Sequence, residues 1–149
     1  MANTQRIPVL VDTREQSPWS LDTTLFAPSV YTLPTGDYSF PDMQHTFCLE
    51  RKSLGDLVST VIHGRTRFRK ELLRMSSMDF AAIVVEADSS DVWERRYESE
   101  ATPQAVMMAL AAYTLEHGVQ VFFAGPRPRA QEWAGYFLAL AWKKLTGVR

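Results

Sequence analysis

Hydrophobic residues recur along the chain in two spacings, and each spacing predicts a different kind of secondary structure. Short apolar or β-branched runs flanked by turn residues predict strands. These runs cover residues 7–11, 38–40, 46–51, 81–86 and 119–123. The run at 81–86 is almost entirely apolar, which is typical of a strand buried on both faces. The segment 17–34 has no sustained period and is predicted to be a loop with one short strand near 30–33.

Apolar residues spaced three and four positions apart predict helices in the remaining segments. The predicted helices cover residues 54–63, 65–75, 103–117 and 130–145. Ser53 and Thr102 are suitable N-caps, and Gly64 and Gly118 are suitable helix ends. Helices therefore occupy most of the chain after the predicted strand at 46–51.

The order of these elements indicates an α/β fold. Strands alternate with helices in the second half, and the hairpin in the first half adds antiparallel pairing to the same sheet. We therefore expect a mixed central sheet. With 149 residues and 46% hydrophobic content, residues 1–149 are expected to form a single domain with its own core.

Charge and cysteine content narrow the possible functions only slightly. The chain has 16 basic and 17 acidic residues and a formal charge of −1, so affinity for nucleic acid would require local clustering of basic residues. Cys48 is the one cysteine, which excludes an internal disulfide and argues against zinc. The polar amino terminus and the lack of a long apolar run predict no membrane segment, and we expect a cytoplasmic protein.

The residues with the clearest chemical potential lie between Asp37 and Lys52. Successive side chains of an extended segment point to opposite faces, so Glu50 and Lys52 are expected on one face and Arg51 on the other. A hairpin-like return would bring Asp37 beside Glu50. Two carboxylates and a lysine at one point suit a hard divalent cation and an activated water. This chemistry is suited to phosphodiester hydrolysis.

The strongest cluster of basic residues lies on the polar face of the second predicted helix. It contains Arg65, Arg67, Arg69, Lys70 and Arg74. Such a cluster is typical of contact with DNA phosphates, and it is equally typical of an ordinary solvated helix face. Both interpretations stay open at this point.

Several short motifs follow one another in a fixed order. They are Asp12-Thr13-Arg14-Glu15, Gly36-Asp37, Glu50-Arg51-Lys52 followed by Asp56, Gly64-Arg65, and Ile83-Val84-Val85-Glu86. Together they resemble the nuclease domain of XPF-type structure-specific endonucleases, within the PD-(D/E)XK superfamily. The resemblance implies a restriction-endonuclease-like three-layer fold with a central mixed sheet flanked by helices. It also implies a metal-dependent endonuclease acting on branched DNA such as a flap, fork or junction.

The resemblance further implies roles for individual residues. Asp37, Glu50 and the backbone carbonyl of Arg51 would hold Mg²⁺ or Mn²⁺. Lys52 would orient or deprotonate the attacking water. The remaining implied roles are a metal contact for Asp12, a second and wetter metal site for Glu15, support of the site by Arg51 and Asp56, and a phosphate contact for Arg65. Further candidates for DNA contact are Arg14 and, from the basic cluster, Arg67, Arg69 and Lys70.

Simpler roles compete for several of these residues. Asp12 and Asp37 could be ordinary strand-end and turn aspartates, since aspartate favours such positions through local hydrogen bonds. Asp56 could serve only the start of a helix. His63, at a predicted helix end, is expected to be a cap or surface residue rather than a proton shuttle.

Three functions are therefore compared. The leading hypothesis is a metal-dependent DNA endonuclease, the second is a noncatalytic DNA-binding scaffold subunit of a nuclease complex, and the third is a phosphohydrolase of small nucleotides. XPF-type nucleases commonly carry a tandem helix-hairpin-helix domain, which we do not find in this sequence. The resemblance therefore leaves two alternatives, a protein that discriminates less among DNA structures or one that relies on a partner subunit, and a homodimer stays open as well.

Overall fold

A computed structural model describes residues 5–148 and contains a six-stranded sheet. The strands are β1 (Ile7–Asp12), β2 (Phe26–Tyr31), β3 (Tyr38–Ser39), β4 (Phe47–Lys52), β5 (Phe80–Val85) and β6 (Gln120–Phe123). Their order across the sheet is β2-β1-β3-β4-β5-β6. Strands β1 and β2 are parallel, β3 is antiparallel to both β1 and β4, and β4, β5 and β6 are parallel to one another. The predicted mixed sheet is therefore confirmed.

Over the same residues, 5–148, five helices connect the strands or follow them. They are α1 (Leu54–Ile62), α2 (Arg65–Ser76), α3 (Ser89–Trp93), α4 (Pro103–His117) and α5 (Arg127–Thr146). The predicted starts of α1 and α4 are confirmed, because Ser53 Oγ accepts the Asp56 N–H at 3.2 Å and Thr102 Oγ1 accepts the Ala105 N–H at 3.1 Å. Gly118 ends α4 in the left-handed conformation, with φ 70°.

Helices cover both faces of the sheet, which gives three layers. On one face, helices α1, α2 and α4 contribute Val61, Phe68 and Leu110 to an apolar core that includes Ile83 of β5. On the other face, α5 contributes Leu138 to a second core rich in aromatic side chains. Because side chains alternate along a strand, β5 supplies Ile83 and Val85 to the first core and Ala82 and Val84 to the second. This dual burial explains the continuous apolar run in the sequence.

Two elements differ from the sequence-based expectation. The strand predicted near 30–33 lies instead at Phe26–Tyr31 and pairs in parallel with β1. Only Phe26 of this edge strand is buried, so its sequence lacks the alternation that marks a half-buried strand. Helix α3 was not predicted, because five residues are too few for an apolar stripe; its start is fixed by a capping box between Asp88 and Asp91.

None of the helices within residues 5–148 has the length and apolar character needed to cross a membrane.

Gly36 forms the turn that precedes Asp37 and strand β3. Its φ is +80°, a conformation that residues with a side chain rarely adopt. A Cβ atom at this position would lie 2.8 Å from Cys48 Cβ and 2.9 Å from Cys48 Sγ in the neighbouring β4. Glycine is therefore required here for two reasons, the backbone conformation and the close approach of the two strands.

We expect Gly36→Ala to lower the free energy of unfolding by roughly 2–5 kcal/mol, because left-handed strain and a steric clash both contribute. Gly118→Ala is the matched control, since Gly118 has φ +70° but no atom within 4 Å of the added Cβ. Gly118→Ala should lower the free energy of unfolding by only about 1 kcal/mol. Urea unfolding measures both values, and equal losses in the two variants would contradict the steric contribution.

Candidate active site

The carboxyl end of β4 distributes charged side chains to both faces of the sheet. Glu50 and Lys52 line a cavity of about 490 Å³ beside α1 and α2. Arg51 points to the other face, where its guanidinium pairs with Glu15 at 2.7 Å and with Glu86 at 2.6 Å. The alternation expected from the sequence is therefore what the structure shows.

Asp37 is held beside this end of β4 by two backbone hydrogen bonds. The Asp37 N–H donates to Leu49 O at 2.8 Å, and the Arg51 N–H donates to Asp37 Oδ2 at 2.8 Å. In a β-strand the N–H and the C=O of one residue point to the same edge. The Arg51 N–H faces Asp37, so the Arg51 carbonyl also faces that edge of β4. The Asp37 carboxylate and the Arg51 carbonyl therefore lie on one edge of β4.

A smaller cavity, of about 210 Å³, brings several predicted residues together. Asp12, Asp37 and Glu50 all line it, with Gly36 at its edge. The ends of β1, β3 and β4 meet at this point because the antiparallel β3 lies between the other two strands. The convergence of acidic groups that the sequence predicted is thus present.

The environment of Asp37 and Glu50 disfavours the charged forms of these two residues. Burial raises the pKa of Asp37 to about 7, with further contributions from the carboxylates of Glu15 and Glu71, while the Arg51 N–H acts in the opposite direction. Burial and the adjacent Glu71 carboxyl group also raise the pKa of Glu50 well above its ordinary value. A bound cation would relieve both effects.

One carboxylate oxygen of Glu50 accepts no hydrogen bond from residues 5–148. Among these described residues, Glu50 Oε2 is buried without a hydrogen-bond partner, and Lys52 Nζ lies 4.0 Å away from it. Lys52 Nζ instead donates to Thr60 Oγ1 at 3.2 Å. A buried carboxylate oxygen without a hydrogen-bond partner destabilises the fold, so this position suits a bound cation.

These donors suit a hard divalent cation, although they do not form a complete side-chain cage. Within residues 5–148, no three His, Cys, Asp or Glu side chains form one group able to hold a metal ion. Mg²⁺ commonly binds through one or two carboxylates and takes its other ligands from water and substrate phosphate. Asp37, Glu50 and the Arg51 carbonyl match that kind of open site.

Asp12 and Glu15 lie near these groups but already have partners. Asp12 accepts hydrogen bonds from Arg14 Nε at 2.9 Å and from the Leu33 N–H at 2.8 Å. Burial acts to raise the pKa of Asp12, but these hydrogen bonds outweigh it and hold the pKa below its ordinary value. The Glu15 side chain is only 4% exposed and binds Arg51, so the wetter environment expected for Glu15 is not found. Metal contacts by either residue stay predictions.

Arg51 is the centre of a partly buried ion-pair network behind the cavity. Besides Glu15 and Glu86, the network includes Arg127, whose Nη1 lies 3.5 Å from Glu86 Oε2, and Trp19, whose Nε1 donates to the same oxygen at 3.3 Å. The hydrogen bond with Glu15 is the largest contribution raising the pKa of Arg51. The network anchors β4 from the face opposite Glu50.

The predicted DNA-contact residues divide into two groups. Arg14 and Arg67 line the smaller cavity together with Arg74, whose Nε donates to Thr35 Oγ1 at 2.8 Å. Arg69 is directed elsewhere, because its guanidinium lies 3.9 Å from Glu116 and over the ring of Tyr113. Arg65 and Lys70 are exposed and line neither cavity.

Two further predicted positions have simple placements. Asp56 is exposed in the first turn of α1, where its backbone N–H donates to Ser53 Oγ, so Ser53 is the cap and a supporting role for the Asp56 side chain stays a prediction. His63 is the C-cap of α1, as expected, and also borders the larger cavity.

Sequence reasoning missed Glu71, Thr60 and Glu86 as members of the site. Glu71 lines both cavities. It is four residues after Arg67 and three before Arg74, so the three side chains share one face of α2. That shared spacing was the available signal, and it was hidden because the whole helix is rich in charge.

The chain has an α/β fold of the restriction-endonuclease-like class, and it belongs to the ERCC4 domain family, whose pattern matches residues 11–137. The solved structure of XPF from Aeropyrum pernix is similar, with a TM-score of 0.72 and 23% identity, over 95% of this chain and 68% of that one. XPF from Aeropyrum pernix in complex with DNA also has a TM-score of 0.72, with 24% identity, over 93% of this chain and 66% of that one. This chain therefore spans about two thirds of those structures. No curated protein matches its sequence.

Asp37 should make the metal-free protein less stable as the pH rises. Its pKa in the folded protein, about 7, lies above the ordinary 3.8, so the native state binds this proton more tightly than the unfolded state. The resulting stability is complete below about pH 4 and is lost as the pH rises through about 7. Asp37→Asn should remove this pH dependence. At pH 8 the free energy of unfolding of the variant should be higher than that of wild type by roughly 2–4 kcal/mol.

Urea unfolding in EDTA across this pH range measures the effect. Asp79→Asn, at an exposed aspartate outside both acidic cavities, is the control and should retain the wild-type pH dependence. Identical curves for wild type and Asp37→Asn would contradict the stated cause.

Arg51→Met should destabilise the protein by roughly 3–5 kcal/mol, because it leaves two buried carboxylates without the guanidinium between them. Arg96→Met is a matched control, since Arg96 also pairs with two carboxylates, Asp91 and Glu94, but its side chain is 63% exposed. The control should cost less than about 1 kcal/mol. Similar unfolding midpoints in urea for the two variants would argue against a structural role for the buried network.

Proposed function

We propose that the protein is a metal-dependent DNA endonuclease that hydrolyses phosphodiester bonds in branched or distorted duplex DNA. The observation that supports this most directly is the convergence of Asp37, Glu50 and Lys52 at one end of the sheet, beside cavities bordered by arginines. Membership of the ERCC4 domain family is consistent with nuclease activity.

Asp37, Glu50 and the backbone carbonyl of Arg51 would hold Mg²⁺ or Mn²⁺. A divalent ion at this position supplies charge stabilisation for the phosphate and lowers the pKa of bound water. The protein contributes a rigid arrangement of these oxygens, because Asp37 is bound to the Arg51 N–H and Arg51 is fixed by Glu15 and Glu86. Rigid positioning of ligands is a major part of catalysis at such sites.

Lys52 would act on the attacking water. Its Nζ is held by Thr60 Oγ1 and shares a cavity with Glu50. From that position the amine can orient a water by hydrogen bonding, or accept its proton when neutral. The Thr60 hydroxyl would limit the motion of the lysine side chain.

The arginines at the cavity would bind phosphate groups of the DNA. Arg67 and Arg74 project from one face of α2, and Arg14 lies across the cavity from them. The guanidinium group forms paired hydrogen bonds with phosphate oxygens, which gives orientation as well as charge. One of the similar solved structures, XPF from Aeropyrum pernix, is a complex with DNA, which supports DNA as the partner. A homodimer or a partner subunit would extend the contact to a branch point.

A noncatalytic DNA-binding subunit is the second candidate. It is favoured by one observation, the lack of a complete three-residue metal group among residues 5–148. In that case the acidic cavity would have only a structural role, and the arginines would bind DNA without cleavage. The presence of Asp37, Glu50 and Lys52 together argues for catalysis.

The test is cleavage of labelled flap, fork, four-way junction and linear duplex DNA in Mg²⁺ or in EDTA. We expect cutting of the branched substrates only with metal. Asp37→Asn and Lys52→Ala should each lower the rate by roughly 100-fold or more, the scale associated with loss of an acid–base or charge-stabilising group. Lys143→Ala, at an exposed lysine of α5, should cut like wild type.

Binding of branched DNA without metal-dependent cutting would support the scaffold function instead. Equal cutting of linear and branched DNA would leave the nuclease proposal intact and contradict the proposed preference for branched substrates.

A further inference from the structure

We propose that Glu71 of α2 is a direct carboxylate ligand of the divalent cation, opposite Glu50. This inference rests on the proposed metal-dependent function and adds a residue that belongs to none of the family motifs recognised in the sequence. It depends on where α2 places Glu71, which side chains adjoin it, and which bonds it does not make.

Helix α2 is packed tightly against the apolar core, and this packing fixes the position of Glu71. Phe68, Leu72 and Met75 are almost completely buried in the apolar core, at 1%, 2% and 1% exposure. The adjoining face of the helix, one residue further round from this buried stripe, carries Arg67, Glu71 and Arg74 into the smaller cavity. Glu71 also borders the larger cavity that contains Glu50 and Lys52. It therefore lies at the boundary between the two cavities, as Glu50 does.

Glu71 lies beside another carboxyl group rather than an arginine. Among residues 5–148 it has no salt bridge within 4.0 Å, although Arg67 and Arg74 are its neighbours on the same helix face. It lines the same two cavities as Glu50, and its proximity is one of the causes that raise the pKa of Glu50. If Glu71 served only the helix surface, pairing with an arginine would be the favourable arrangement.

Two carboxylates cannot satisfy each other, because neither carries a donor when ionised. Within the described part of the chain, Glu50 Oε2 is accordingly buried without a hydrogen-bond partner. A shared proton, a bridging water or a cation between the two groups would remove this deficit. A cation is the better occupant, because Mg²⁺ commonly binds through one or two carboxylates and takes its other ligands from water and substrate phosphate. Asp37 lines the smaller cavity with both glutamates and adds to its negative charge.

The test compares Mn²⁺ binding, without DNA, in wild type, Glu71→Gln and Glu132→Gln. Electron paramagnetic resonance of free Mn²⁺ gives the affinity directly and does not depend on catalysis. Glu71→Gln should weaken Mn²⁺ binding roughly 10- to 100-fold, the scale associated with loss of a group in or next to a metal's ligand set. Glu132→Gln, an exposed glutamate of α5, should bind like wild type.

Thermal unfolding provides a second measurement that separates ligation from a structural role. The amide introduced by Glu71→Gln can donate to Glu50 Oε2, so the metal-free variant should melt at the same temperature as wild type or higher. The increase in melting temperature caused by Mn²⁺ should be smaller in the variant. Glu71→Asp, which keeps the charge on a shorter side chain, should bind Mn²⁺ with intermediate affinity and serves if Glu71→Gln fails to fold.

The possible results distinguish this inference from the proposed function. If wild type binds Mn²⁺ and cuts DNA while Glu71→Gln binds Mn²⁺ within about twofold of wild type, the carboxyl groups share only a proton and the role of Glu71 is refuted. If wild type binds no Mn²⁺ even with DNA present, both this role and the metal-dependent nuclease are refuted. Lower metal-free stability of Glu71→Gln with an unchanged Mn²⁺ effect would show a packing role and also overturn the inference.

Discussion

The alternation of side chains along β4 is the constraint on which the candidate site depends. It sends Glu50 and Lys52 into the cavities beside α2 and sends Arg51 to the opposite face, where Glu15 and Glu86 bind it. One short strand thus supplies both the reactive groups and the anchor that holds them. A shift of register by a single residue would exchange the two sets and remove both functions together.

The two faces of this strand end have opposite electrostatic character. Behind the strand, guanidinium and carboxylate groups are matched, and their charges are compensated. In front of it, Asp37, Glu50 and Glu71 line one small cavity, and burial there raises the pKa of Asp37 and of Glu50, so keeping their carboxylates charged lowers the stability of the fold. Such a division is physically reasonable, because the compensated side can stabilise the strand while the uncompensated side stays available for a ligand.

The sequence predicted the parts of this arrangement that follow from local rules. Strand alternation, the caps at Ser53 and Thr102 and the convergence of Asp37 with Glu50 all follow from period, turn chemistry and strand order. The position of β2 and the short helix α3 could not be predicted, since an exposed edge strand and a single helical turn have no strong apolar period. Glu71 and Glu86 could not be predicted because their partners are fixed by tertiary packing, 21 and 35 residues away along the chain from Glu50 and Arg51.

The close approach of Gly36 to Cys48 has a consequence for the chemistry of the thiol. Cys48 is fully buried beneath the turn, and burial, followed by the charge of Glu50, raises its pKa to about 12. A sulfur in this state is a poor nucleophile and is shielded from alkylating reagents and oxidants. Reaction at Cys48 therefore requires the strands to separate locally, so the rate of thiol modification would report how often the acidic end of the sheet opens.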